Sequence, residues 1–162
     1  HNRVRRQRQM CIRDSFNMYK FRTMKKDSHK LRDEMRELNQ NDAAIFKIED
    51  DPRIINGAKF LRNYSLDELP QFFNVLRGEM SIVGPRPLFD EDTKLFSEAY
   101  MRRLNVMPGI TGLLQINERN TSEFSTWYKY DIEYIENWSL FLDLKIIFKT
   151  PFSLFSQKVK GV

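Results

Sequence analysis

One cysteine and two histidines are all that this chain of 162 residues offers as thiolate or imidazole metal ligands. Cys11 alone excludes an intrachain disulfide, and with so few Cys and His there is no ligand cluster for structural zinc. A reducing compartment is the default. No run of about 18 apolar residues exists, so no helix of spanning length is encoded. The basic start is not followed by the apolar stretch of a signal peptide. There is no internal repeat and no low-complexity tract. Acidic and basic charge nearly cancel outside one short segment. The formal net charge is +5, but residues 1–14 hold five arginines against Asp14, leaving 22 basic and 21 acidic side chains in the rest. A nucleic-acid partner is therefore not expected, since the excess charge lies in the leader and no recognition motif appears.

What is present suffices for one domain with its own core: 41% of residues are hydrophobic and 13% aromatic. Residues 1–15 (HNRVRRQRQMCIRDS) show no amphipathic period and read as a disordered basic leader or one foreign to the protein. FNMYKFRTM from Phe16 suits a strand. From Ser28 to Asn41, Leu31, Met35 and Leu38 make a narrow apolar stripe on a solvated helix. Asp51-Pro52 breaks that pattern, and Asn56 to Tyr64 reads as a short helix with Phe60 and Leu61 inward. A helix ending at Gly78 follows, then a strand over Met80 to Val83 and a Gly-Pro-Arg-Pro turn. Asp90 to Leu104 reads as a helix, Met107 to Gly112 as a turn, and Leu113 to Ile116 as a second short strand. Ser122 and Ser139 are positioned to cap the last two helices. The final helix carries apolar residues on most of its circumference (Leu140, Leu142, Leu144, Ile146, Ile147, Phe148), so it is either buried or in contact with lipid.

Asp67 and Glu68 stand at a helix start whose cap is not fixed by the sequence. Ser65 and Glu68 spell a capping box, but that start puts Pro70 past the first turn, where its missing N–H costs a hydrogen bond; a cap at Leu66 or Asp67 brings Pro70 inside the tolerated zone. Taken locally, Asp67 as a cap and Glu68 as an answer to the helix dipole is the favoured reading. The alternative starts from the same field, which keeps a carboxylate ionised and attracts phosphate. An ionised carboxylate beside phosphate can attack phosphorus, provided a cation such as magnesium relieves the repulsion. Arg86, stiffened by Gly84, Pro85 and Pro87, offers a planar fork for phosphate. Lys20, Arg22 and Arg62 add cations from other parts of the chain, although each such residue is more often a solvated surface charge than a ligand.

The segments YKFRTM (19–24), DPRI (51–54), KFLRNYSLDELPQFFNVLRGEMSIVGPRP (59–87), MPGITGLLQINERN (107–120) and NWSLFLDLKIIFKT (137–150) closely resemble the bacterial sugar transferase family, the monotopic polyprenol-phosphate phosphoglycosyl transferases. The resemblance implies transfer of a sugar 1-phosphate from a UDP-sugar to undecaprenyl phosphate with release of UMP, the priming step of surface glycan synthesis. It further implies Asp67 as the nucleophile that becomes a covalent phosphosugar carrier, and Glu68 as the ligand of Mg2+. Arg86 would bind substrate phosphate, with Lys20 and Arg62 at basic positions near the site. Gln115, Asn117 and Arg119 fall in a motif that would line it. Asp131 and Asp143 match acidic positions that could serve only to orient helices. The implied setting is the cytoplasmic face of the bacterial inner membrane, on the membrane surface, with room for a homodimer.

The fold expected is α+β: a mainly helical catalytic domain over 16–150 with a few short strands, membrane-surface associated, followed by an amphipathic tail over 151–162. Two departures from the family pattern stand out. The hydrophobic re-entrant helix expected ahead of KFRTM is not in this sequence, which leaves open that the chain is a fragment. Glu118 replaces a common glycine, putting a negative charge near expected phosphates at a place where a positive φ would be awkward. An inactive or fragmentary membrane-associated module of the same family is the competing expectation.

Overall fold

The structure is a computed structural model and describes residues 15–28, 51–88, 100–118, 121 and 123–155, together with the backbone of 5–8, 89, 98 and 99. Strand β2 (Ser15–Met18) alternates as its sequence demands, with Phe16 and Met18 buried and Ser15 and Asn17 exposed. It pairs antiparallel with β1 (Arg5–Arg8), which on its other edge pairs with β4 (Leu88–Phe89). The arginine-rich segment, read above as a disordered or a foreign leader, contributes β1 as the central strand of this three-stranded sheet. Backbone hydrogen bonding needs no apolar pattern, so composition did not reveal it.

A second sheet pairs β3 (Ser81–Val83) in parallel with β5 (Gly109–Thr111), with Ser81 opposite Gly109 and Val83 opposite Thr111. The second strand therefore lies before the LLQI segment expected to form it. Leu113–Asn117 is instead a short helix, α3. Close backbone approach explains the exchange. A Cβ on Gly109 would collide with the Gly84 amide nitrogen, and one on Gly112 with the Gly84 carbonyl oxygen. The glycines of the two motifs are pressed back to back, which draws the strand to them.

Helix α1 (Ala58–Asn63) buries Ala58 and leaves Phe60 59% exposed, contrary to the inward placement expected of it. A 3-10 segment over Leu66–Gln71 leads into α2 (Phe72–Leu76), and Gly78 follows with a φ of 73°. A second 3-10 segment covers Glu98–Asn105, ending one residue past the helix expected over Asp90 to Leu104, whose first eight residues lie outside the described ones. The helix expected over Ser28–Asn41 lies outside the described residues apart from Ser28, and the Ser122 cap lies outside them entirely. Helix α4 (Phe124–Glu136) starts after Glu123 without a side-chain cap. Helix α5 (Leu140–Ser153) is capped as expected: Ser139 Oγ accepts from the Leu142 amide at 3.2 Å. It continues through Pro151, across the boundary expected at residue 150.

Three buried clusters hold these elements together. Phe16, Met18 and Met80 join β2 to the start of β3. Leu88, Leu114, Phe124 and Trp127 join β4, α3 and α4. Val83, Tyr134 and Ile146 join β3, α4 and α5. Helix α5 buries only one stripe: Ile146 is fully buried, whereas Phe141, Phe148 and Phe152 are each more than 70% exposed. The described residues form an α+β domain, and no helix among them is long and apolar enough to cross a membrane.

Candidate active site

Ser65 has a left-handed backbone (φ 56°, ψ 19°) and makes no side-chain cap, so the capping box is not formed. Its carbonyl accepts from the Glu68 amide at 3.0 Å, and the chain tightens into the 3-10 segment that carries both carboxylates inward. That geometry also accommodates Pro70 inside the segment. Asp67 and Glu68 are 3% and 5% exposed, which is costly for carboxylates unless cations meet them.

Two cations do. The Phe21 amide donates to the Asp67 carbonyl at 2.9 Å, drawing the chain that follows β2 against the carboxylate segment. Lys20 Nζ thereby lies 2.9 Å from Glu68 Oε1 and 3.7 Å from Asp67 Oδ2. From the Gly-Pro-Arg-Pro turn after β3, Arg86 Nη2 donates to the same Glu68 Oε1 at 2.9 Å. Burial alone would make the Arg86 guanidinium easier to deprotonate, but Glu68 and then Asp67 hold it above its ordinary value, so it remains a cation. Asp67 Oδ1 is buried with no hydrogen-bond partner among the described residues. The arrangement thus pairs a carboxylate oxygen free to bond with cations that can meet an incoming anion.

The other expected site residues divide. Arg62 Nη1 donates to Thr23 Oγ1 at 3.4 Å, and its charge also helps hold down the carboxyl of Asp51. Gln115 is buried on α3 beside Gly112, and neither amide atom has a partner among the described residues. Asn117 Nδ2 donates back to the Leu113 carbonyl within α3, at 2.9 Å. Arg119 lies outside the described residues. Glu118 adopts φ −145°, so this position requires no left-handed backbone. Its carboxylate accepts from Tyr130 Oη at 3.4 Å, and burial together with that carboxylate raises the tyrosine above its ordinary value. Asp143, on α5, accepts from Tyr134 Oη on α4 at 2.9 Å and from Trp138 Nε1 at 3.2 Å.

Arg103 carried no signal in the sequence. It is 1% exposed, donates from Nε to Asp131 Oδ2 at 2.7 Å, and donates from Nη2 to the main-chain carbonyl of Arg86 at 2.8 Å. Burial raises the Asp131 carboxyl above its ordinary value, while Arg103 opposes that rise. Among the described residues, no group of three or more His, Cys, Asp or Glu side chains could by itself hold a metal ion.

A buried acid pair met by cations from a strand end and a stiffened turn is suited to phosphate chemistry rather than to a metal cluster or a Ser-His arrangement. The chain belongs to the bacterial sugar transferase family, whose description it matches over residues 3–157. It is 46% identical over 136 residues to the galactosyl transferase CpsE of Streptococcus agalactiae serotype III (strain NEM316), covering 83% of this chain and 30% of that protein. The exopolysaccharide production protein ExoY of Rhizobium meliloti (strain 1021) is 43% identical over 140 residues, 84% of this chain and 62% of that protein. The UDP-glucose:undecaprenyl-phosphate glucose-1-phosphate transferase of Klebsiella pneumoniae is 48% identical over 129 residues, 75% and 28% of the two lengths. The chain thus spans between 28% and 62% of the length of these three relatives.

Proposed function

We propose that this chain carries the catalytic site of a sugar-phosphate transferase that moves a sugar 1-phosphate from a UDP-sugar to undecaprenyl phosphate. The observation that carries the reading is Asp67 Oδ1, a buried acceptor without a partner among the described residues, beside a Glu68 carboxylate gripped by Lys20 and Arg86. Relatives whose names include undecaprenyl-phosphate galactose phosphotransferase and UDP-glucose:undecaprenyl-phosphate glucose-1-phosphate transferase support the donor and acceptor classes.

In the first step an Asp67 oxygen attacks the sugar-bearing phosphorus. The bond from that phosphorus to the bridging oxygen breaks, and its electron pair leaves with UMP. The enzyme then holds an aspartyl phosphosugar. In the second step a phosphate oxygen of undecaprenyl phosphate attacks the same phosphorus, the acyl phosphate bond breaks, and the Asp67 carboxylate is regenerated. Arg86 holds the diphosphate, and Lys20, within 4 Å of both carboxylates, offsets the charge that gathers as anion meets anion. The residues fit magnesium: a single carboxylate with substrate phosphates is the sparse protein shell this ion accepts, and Glu68 supplies that carboxylate. Bound by Glu68 and the donor phosphates, it would further lower that repulsion.

A membrane surface is the matching setting, on the cytoplasmic face of the inner membrane. Phe72, Phe73 and Leu76 on α2 and Phe141, Phe148 and Phe152 on α5 are exposed apolar groups suited to lipid. Tyr64, three residues before Asp67, meets Phe155 edge-on at 5.9 Å and lies tilted against Phe60 at 5.0 Å, so the residues just after α5 pack against the segment that leads to the acid pair. Incubation with a UDP-sugar, undecaprenyl phosphate and magnesium in detergent should release UMP. Undiminished release by Asp67→Asn would sink the assignment.

A further inference from the structure

Arg102 and Arg103 are neighbours in one 3-10 segment and meet opposite fates. Arg102 reaches Glu136 at the surface, its side chain 51% exposed, whereas Arg103 is 1% exposed. Burying a guanidinium costs several kcal/mol unless it is well paired. Asp131, on α4, takes only one arm of it. The second arm goes to the main-chain carbonyl of Arg86, and the third nitrogen, Nη1, is buried with no partner among the described residues. A pair selected only for packing gains nothing from an unsatisfied donor, because apolar residues of similar volume fill such a space at no electrostatic cost. What the arginine adds is a fixed point on the turn between Pro85 and Pro87. From that point the Arg86 side chain extends to Glu68, and a long side chain rooted in a fixed backbone loses less freedom when it binds.

We infer that Arg103 and Asp131 are positioning residues for Arg86: their buried ion pair clamps the main chain of the Gly-Pro-Arg-Pro turn, so that the Arg86 guanidinium is presented to a nucleotide diphosphate beside Glu68. The role of diphosphate as ligand rests on the transfer reading; the clamp itself rests on the two hydrogen bonds of Arg103.

The test is a calorimetric titration of UDP with magnesium into the wild type and a set of variants. The first variant, Arg103→Met with Asp131→Leu, removes both charges together and so avoids a stranded one. It should melt within a few degrees of the wild type and bind UDP about tenfold more weakly. In an Arg86→Ala background the same two substitutions should cost nothing further, because the residue they act through is gone. Arg103→Lys, which keeps the positive charge but not the fork, should weaken UDP in the same Arg86-dependent way and serves if the double variant fails to fold. Equal weakening with and without Arg86, or no weakening in a folded variant, would overturn the inference. So would a wild type that fails to bind UDP at millimolar concentration. A wild type that binds UDP and shows the Arg86 dependence, yet never forms a sugar-phosphate adduct, would contradict the transfer reading and leave the clamp standing.

Discussion

Two buried clusters in this domain each set carboxylates against basic side chains and are finished differently. In the loop before α1, both oxygens of Asp51 are taken by Arg53. Oδ1 accepts from its amide at 2.9 Å and from Nε at 2.8 Å, and Oδ2 accepts from Nε and Nη2. The same arginine reaches the Ser28 carbonyl, and its own carbonyl accepts from the Lys25 amide. At the acid pair, Lys20 and Arg86 both converge on one oxygen of Glu68, while Asp67 Oδ1 is left without a partner among the described residues. One cluster is closed upon itself and holds two chain segments together. The other is unfinished on the side where a ligand would complete it. Unsatisfied buried polar atoms cost stability, so where they persist beside several charges they point to chemistry.

Substitution should separate the two clusters by which property it damages. Arg53→Ala strands the Asp51 carboxylate and should cost about 3 kcal/mol of stability, read by denaturant melts, with UDP affinity of the folded protein unchanged. Arg86→Ala leaves Glu68 with Lys20 and should do the reverse, weakening UDP binding about thirtyfold with a small change in melting temperature. If both variants lost stability alike and neither lost affinity, the distinction between closed and unfinished clusters would fall.

Acid provides a smaller and sharper probe of the closed cluster. Burial pushes the Asp51 carboxyl up, but the Arg53 hydrogen bonds and charge, with a contribution from Arg62, bring it below its ordinary value of 3.8. A depressed carboxylate stabilises the fold fully above its unfolded value, and that contribution is lost as pH falls through the folded one. The gap in melting temperature between wild type and Arg53→Ala should therefore narrow as pH is lowered below about 4. A gap that stayed constant would mean that the clasp does not depend on Asp51 being ionised.

How far these clusters could be read from the sequence follows from the range of the interactions that make them. Asp67, Glu68, Arg86 and Lys20 stood in compact motifs, and the structure brings all four together. The Ser139 cap and the β3 strand were legible because a single local hydrogen bond or a short apolar run decides each. The state of Ser65 was not, since its left-handed backbone is imposed by the segment around it and no preference of serine announces it. Nor was the strand at Gly109–Thr111, which depends on glycines 25 or more residues apart meeting back to back. Arg103 is the clearest failure. Nothing in Met-Arg-Arg-Leu distinguishes its two arginines, and the difference is made by Asp131, 28 residues away.

The claim at the centre is that Asp67 is unfinished because it forms a bond to phosphorus. Intact-mass measurement after incubation with a UDP-sugar and magnesium, and no acceptor, tests this directly. A mass increase of one sugar phosphate on the wild type, absent from Asp67→Asn, is the predicted result. The same adduct on Asp67→Asn, or none on a wild type that releases UMP once undecaprenyl phosphate is added, would contradict it.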